Sequence, residues 1–146
     1  MGTRSVIVIY NTFGDAAPEH VYQCVAMLYR HWDGYPTRAG NTLLTVLRGL
    51  EVINGWRNGD CRKLSPHRCN NVGRLVAEVI RRYPIEHDIS MIGADPNANV
   101  WQEWTYNVYA CAGRDIELEV VNRDRIVHAR KPVDEYADFA DDDNDK

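Results

Sequence analysis

Two short apolar runs near the N-terminus constrain this chain most. Thr3 to Tyr10 (TRSVIVIY) carries a β-branched stretch too short for a helix, and it predicts a central strand. Val21 to Arg30 (VYQCVAMLYR) predicts a second strand, with Asn11 to His20 between them as a loop punctuated by Gly14 and Pro18. Strands joined in this way are expected to pair antiparallel across a long hairpin. Asp33-Gly34-Tyr35-Pro36 then stops the sheet, because Asp-Gly suits a tight turn and Pro36 holds Tyr35 extended.

The pattern next turns helical. Ala39, Leu43, Leu47 and Leu50 recur at helical spacing, Leu44 and Val46 widen the stripe, and Gly49 with Asn54-Gly55 marks the end of a helix over 39–50. Residues 55–69 keep no period and predict a loop. A second helix over 71–83 presents Val72, Leu75, Val76, Val79, Ile80 and Tyr83 on one stripe, capped by Asn70 or Asn71 and closed by Pro84. Ile89 to Ile92, Val100 to Cys111, Asp115 to Val121 and Arg125 to Arg130 predict further strands, with Asn122-Arg123-Asp124 as a hairpin turn. Val133 to Ala140 predicts a short helix. The expected fold is α+β: a mainly antiparallel sheet of about five strands with two helices packed on one face. Residues 1–140 form its single domain, and 141–146 are expected to be a disordered acidic tail.

A chain of 146 residues can bury a core without staples. No apolar run approaches the roughly 18 residues of a membrane span, and Arg4 lies inside the first strand-like segment rather than heading a signal peptide. The protein is therefore expected to begin near Met1 and to work in the cytosol, without a membrane partner. Cys24 and Cys111 lie in strand-like runs and are expected to be free thiols of a reducing compartment. The net charge of −4 is unevenly spread: Asp134 to Lys146 holds seven acids and one base, so the body is slightly positive. That surplus is too small for a duplex-binding face, so no duplex nucleic acid is expected as partner. With lysine only at 63, 131 and 146, the body's positive charge is nearly all arginine, which suits planar recognition of phosphate or carboxylate.

Tyr29 to Tyr35 (YRHWDGY) is the densest cluster of side chains with binding chemistry. In a strand, Tyr29, His31 and Asp33 would face one way and Arg30 and Trp32 the other. Aromatic faces stack on bases, arginine pairs with phosphate, and aspartate accepts from sugar hydroxyls or exocyclic amines. Arg4 is expected beside this cluster if the first two strands pair. The opposing reading is architectural, with Trp32 and Tyr35 covering the core and Asp33 only making the turn. Cys61, His67 and Cys69 form a C-x5-H-x-C that matches no recurrent zinc spacing and lacks a fourth ligand, so no metal or cofactor is assigned. Hydrolase, zincin and phosphate-loop motifs are absent, and His31 with Asp33 is a weak acid–base pair. Trp101, Glu103 and Trp104 put aromatics on both faces of a strand, a pattern of core and interface packing.

On Met1 to Ser5 (MGTRS) and Tyr29 to Gly40 (YRHWDGYPTRAG), the chain resembles a family of small proteins of phages, prophages and bacterial genomes. That family opens MGTRS and continues with a Tyr-Arg-x-x-Asp-Gly-Tyr-Pro-Thr-x-x-Gly element. Weaker correspondences are Val52 to Gly55, the helix from Asn70 to Val79, and Trp104 to Val108. The family usually has Gly-His where Arg38-Ala39 stand and Gln-Met where His31-Trp32 stand. The first departure removes the family's histidine from position 39 and any role it had; the second favours binding by Arg30, Asp33 and Tyr35 over catalysis by His31. The resemblance implies a phage setting and names no reaction. The expected function is sequestration of a nucleotide or nucleotide-like signal in the host cytosol, as a counter-defence sponge that binds small ligands as a homo-oligomer. Its expected ligand-binding residues are Arg4, Tyr29, Arg30, His31, Trp32, Asp33, Tyr35 and Arg38. The alternatives are an inhibitor of a host protein anchored on Trp32, Tyr35, Trp101 and Trp104, and a phosphodiesterase-like enzyme.

Overall fold

The computed structural model describes residues 2–12, 22–53 and 67–146. Among them are strands β1 (Ser5–Asn11), β2 (Gln23–Arg30), β3 (Glu51–Ile53), β4 (Arg68–Asn70), β5 (Ser90–Gly93), β6 (Trp104–Ala110), β7 (Glu117–Asn122) and β8 (Arg125–Pro132). Helices α1 (Asn41–Leu47) and α2 (Val72–Arg82) lie between the early and late strands. Six strands form the main sheet in the order β5-β2-β1-β6-β7-β8, and β3 and β4 make a small parallel pair. The α+β class and the mainly antiparallel sheet follow the sequence pattern.

β1 lies inside the sheet, as its apolar run predicts, and pairs antiparallel with β2 so that Ser5 faces Arg30 and Ile9 faces Ala26. Its other neighbour is β6, which runs parallel to it. Hydrophobic pattern alone is silent on that pairing, since strand direction depends on the path between β2 and β6. Alternation then sorts the side chains. Ile7, Ile9, Leu28, Tyr106, Val108, Leu118 and Val120 share one cluster with Leu43, Leu44, Leu47, Leu75, Val76 and Val79, so both helices cover the same face. Val6, Val8 and Met27 form a smaller cluster with Tyr10, Cys24, Tyr29 and the segment around Ala98 and Val100.

Helix ends depart from the expected limits for local reasons. The first helix is replaced at its start by a π-helical turn, Pro36–Gly40, and ends early because Arg48 is extended and Gly49 takes φ +80°. The second helix keeps its expected limits: the Asn71 side chain accepts from the Arg74 amide at 3.0 Å and caps it. Ile80 lies at the edge of the stripe and is exposed. Glu78 is the polar residue the stripe does not anticipate. It is 4 % exposed beneath Arg74, Arg81 and Arg82, whose side chains reach it at 3.1, 2.9 and 2.9 Å.

The C-terminal segment also differs from expectation. Val133 to Ala140 forms only a 3-10 turn at Val133–Glu135, and the Tyr136 hydroxyl donates to the Leu118 carbonyl at 2.8 Å. Asp141–Asp145 makes another 3-10 turn that lies against the body rather than running free. The Asn144 side chain accepts from the Thr37 amide at 3.1 Å and donates to the Thr37 hydroxyl at 2.9 Å, and Asp143 lies 3.1 Å from His128.

Two outcomes follow for stability. Deleting residues 141–146 should cost on the order of 1–2 kcal/mol in denaturant unfolding, the worth of the paired Asn144–Thr37 bonds. Bonds from Arg81 and Arg82 hold the Glu78 carboxyl down at about 2, so its stabilisation is complete above the ordinary carboxylate range. It fades as pH falls toward about 2. Glu78→Gln should therefore cost about 1 kcal/mol at neutral pH, since the arginines return to solvent, and nearly nothing near pH 2.

Candidate ligand-binding site

Strand register brings several loops to one end of the sheet. Ser90 lies opposite Tyr29, Ser5 opposite both Arg30 and Trp104, and Trp104 opposite Asn122. The lead-in to β1, Gly2 to Arg4, therefore runs between the end of β2 and the start of β6. The Gly34 amide donates to the Thr3 carbonyl at 2.8 Å, and the Glu103 amide to the Arg4 carbonyl at 3.0 Å.

The Asp-Gly corner forms because each residue tolerates its place. Asp33 has φ +54°, a left-handed conformation that aspartate adopts more readily than most residues. A methyl group on Gly34 would lie 2.7 Å from the Thr3 carbonyl oxygen and 2.9 Å from the Arg4 carbonyl carbon. Only glycine lets the two backbones approach so closely. The Tyr106 hydroxyl, deep in the core, donates to the Gly34 carbonyl at 2.7 Å.

This corner separates side chains that the sequence groups together. Arg30 turns toward the helices and is 2 % exposed. Its Nε donates to the Trp32 carbonyl at 2.7 Å, its Nη1 to the Tyr83 hydroxyl at 2.8 Å, and its Nη2 lies 3.2 Å from Nδ1 of His87. Burial pushes the Tyr83 phenol up against the opposing pull of Arg30, so it stays neutral and able to accept. None of these partners is a carboxylate. Trp32 goes the other way, 61 % exposed, with its indole beside Gly2 and edge-on to His31 at 4.6 Å.

Arg30, His31, Trp32 and Asp33 line a concavity of about 330 Å³, whose other wall is Glu86, His87 and Asp88. The structure thus brings four of the eight expected residues together, and adds a wall just after α2 that no motif marks. Tyr29 packs on the smaller cluster and does not line the concavity, its hydroxyl 2.6 Å from Nδ1 of His31. Tyr35 is not on the concavity: its ring packs on the core, and its hydroxyl reaches Asp33 at 3.4 Å. Arg38 is exposed on the π-turn, away from these walls. Arg4 stands beside them without lining them, and its guanidinium has no partner among the described residues.

Trp104 is core, as its pattern allows. Trp101 is not strand: it precedes β6, takes φ +61°, and is 80 % exposed. Cys69 is buried in β4 and its thiol is pushed up by burial, which opposes thiolate ligation; Cys61 lies outside the described residues. Among the described residues no group of three His, Cys, Asp or Glu is placed to hold a metal ion. Cys24, Cys69 and Cys111 are free thiols.

Compared with family models, curated proteins and solved structures, the chain finds no match in any of the three.

The separation of Arg30 from Trp32 is open to measurement. Arg30→Ala should lower stability by about 2–4 kcal/mol, because it strands the Tyr83 hydroxyl and opens a buried void. Trp32→Ala should stay within about 0.5–1 kcal/mol of wild type. Equal losses in chemical denaturation would show that Trp32 is structural too.

Proposed function

We propose that this chain binds a small nucleotide-like ligand in the concavity between Arg30–Asp33 and Glu86–Asp88. The observation that carries this reading is the state of Arg30. Arg30 is 2 % exposed, and its guanidinium, with only a carbonyl, a phenol and an imidazole as partners among the described residues, keeps a positive charge at the floor of a cleft. Buried charges are ordinarily paired, and an anionic group on the ligand would supply the missing partner.

The remaining walls suit the rest of a nucleotide. Trp32 offers an indole for stacking, worth about 1–3 kcal/mol per base. Asp33, Glu86 and Asp88 are exposed carboxylates that accept from ribose hydroxyls or exocyclic amines. The same carboxylates repel a bare anion, so the site favours a ligand carrying donors and a ring as well as phosphate. Sequestration of a signal nucleotide in a phage setting, by a homo-oligomer, is the biological form of this proposal.

The test is retention. Protein incubated with a panel of mononucleotides, cyclic nucleotides and ADP-ribose derivatives should release the bound ligand intact on heating. Trp32→Ala should weaken that binding by about ten-fold or more, as loss of a stack requires. Inorganic phosphate alone should not bind. Recovery of altered products would make the protein an enzyme. No retention of any nucleotide would overturn the reading and favour a protein-binding role for the exposed tryptophans.

A further inference from the structure

We infer that two copies of this chain pair through the helical face of the sheet. The arginines around Glu78 of one copy meet Asp141, Asp142 and Asp145 of the other, and the reverse. The inference does not depend on a bound nucleotide; it gives the homo-oligomer of that reading a surface.

The arginine cluster is the first observation. Arg74, Arg81 and Arg82 all bond the one carboxylate of Glu78, at 3.1, 2.9 and 2.9 Å, so three guanidiniums crowd about a single anion. The Glu78 side chain is 5 % exposed, while those of Arg74 and Arg81 are 60 % and 64 % exposed. The carboxylate therefore anchors the cluster from below, and the positive charge faces outward. Arg74 and Arg81 have no other acidic partner among the described residues. The helix dipole accounts for Arg81 and Arg82 in the last turn of α2, but it opposes Arg74. That residue stands three places after the Asn71 cap, in a first turn that holds no acid. Cations crowded against their own repulsion fit an anionic surface opposite them.

The complement lies on the same chain. Asp141, Asp142 and Asp145 are exposed on the terminal 3-10 turn and have no partner among the described residues. The turn itself is fixed, because Asn144 bonds Thr37 and the Asn122 side chain donates to the Lys146 carbonyl at 2.9 Å. Its outward carboxylates are thus already ordered for a partner, which lowers the entropy lost on association.

Placement is the third observation. α2 lies against β1 and β2, and the C-terminal segment lies against β7 through Leu118 and Asn122. Between them runs α1. On one flank its Leu43 and Leu47 share the core cluster with Leu75 and Val79 of α2. On the other, Asn41 exchanges two bonds with the Phe139 backbone, at 2.7 and 3.1 Å, and Arg48 reaches Asp138 at 2.7 Å. The basic and acidic patches share one face of the molecule with α1 between them. A two-fold axis over α1 sets each patch on its opposite in the other copy and closes the pair. Pairing α2 with α2 would set arginine on arginine.

Sedimentation equilibrium of the full chain reads this directly. Wild type should be dimeric at about 0.05 M salt and should dissociate at about 1 M, where charges are screened beyond roughly 3 Å. Asp141→Lys with Asp142→Lys and Asp145→Lys alters only exposed side chains and should weaken the dimer about ten-fold or more. Arg74→Glu with Arg81→Glu should do the same. Mixed in equal amounts, the two charge-reversed proteins should form a one-to-one dimer, since both contacts are then attractive again. A monomeric wild type at low salt, mass growing beyond a dimer, or an aspartate variant that pairs like wild type would overturn the inference. So would failure of the mixture to pair when circular dichroism shows both variants folded. If the arginine variant does not fold, the aspartate variant decides alone. A monomer that still retains nucleotide would leave the ligand reading standing, and a dimer that retains none would overturn that reading only.

Discussion

The contact between Gly34 and the Thr3–Ser5 backbone is the constraint on which the candidate site depends. It brings the chain's lead-in against the corner that follows β2, at a distance no side chain on residue 34 would permit. Tyr106 reinforces it from the core through the Gly34 carbonyl. Once that corner is closed, strand alternation sends Arg30 inward to Tyr83, and the left-handed Asp33 lets the chain turn away into Pro36–Gly40. Gly40 repeats the device: a methyl there would lie 2.8 Å from the Phe139 ring, which seals the C-terminal segment over the same turn. The lead-in residues Gly2 to Ser5 thus pack against the corner at His31 to Gly34.

Much of the fold was legible because it rests on periodicity. The apolar stripe of α2, its Asn71 cap, the alternation of Ile116, Leu118 and Val120, and the pairing of β1 with β2 are local or nearest-neighbour matters, and pattern carries them. What was not legible depends on distant partners. The parallel pairing of β1 with β6 is fixed by the path of the intervening chain. The polar run DDDNDK looks solvated until Asn144 meets both backbone and hydroxyl of Thr37, 107 residues away. Trp101 reads as strand because aromatics favour strands, yet the side chains of Asn99 and Gln102 bond its backbone out of that conformation.

The candidate site was legible as a place and illegible as a geometry. Composition located the Tyr29–Tyr35 cluster, because charged and aromatic side chains seldom crowd together without consequence. Composition cannot say that Arg30 is buried while its neighbour Trp32 is open, nor that Glu86, His87 and Asp88 form the facing wall. That wall follows from β5, which returns along β2 and sets the end of α2 beside Arg30.

Arg30 is architectural, and the proposed function gives it a second role in recognition, which sets how the site must be probed. Its three bonds tie the end of β2 to Tyr83 and His87, so removing it disturbs the fold whether or not a ligand uses its charge. Loss of binding in an Arg30 variant is therefore ambiguous by construction. Among the described residues Trp32 and Trp101 contribute exposed rings and the Arg4 guanidinium has no partner, and neither buried cluster includes these three side chains. Binding that depends on those outward groups, in protein of unchanged stability, is evidence for a surface that recognises something rather than a corner that merely holds.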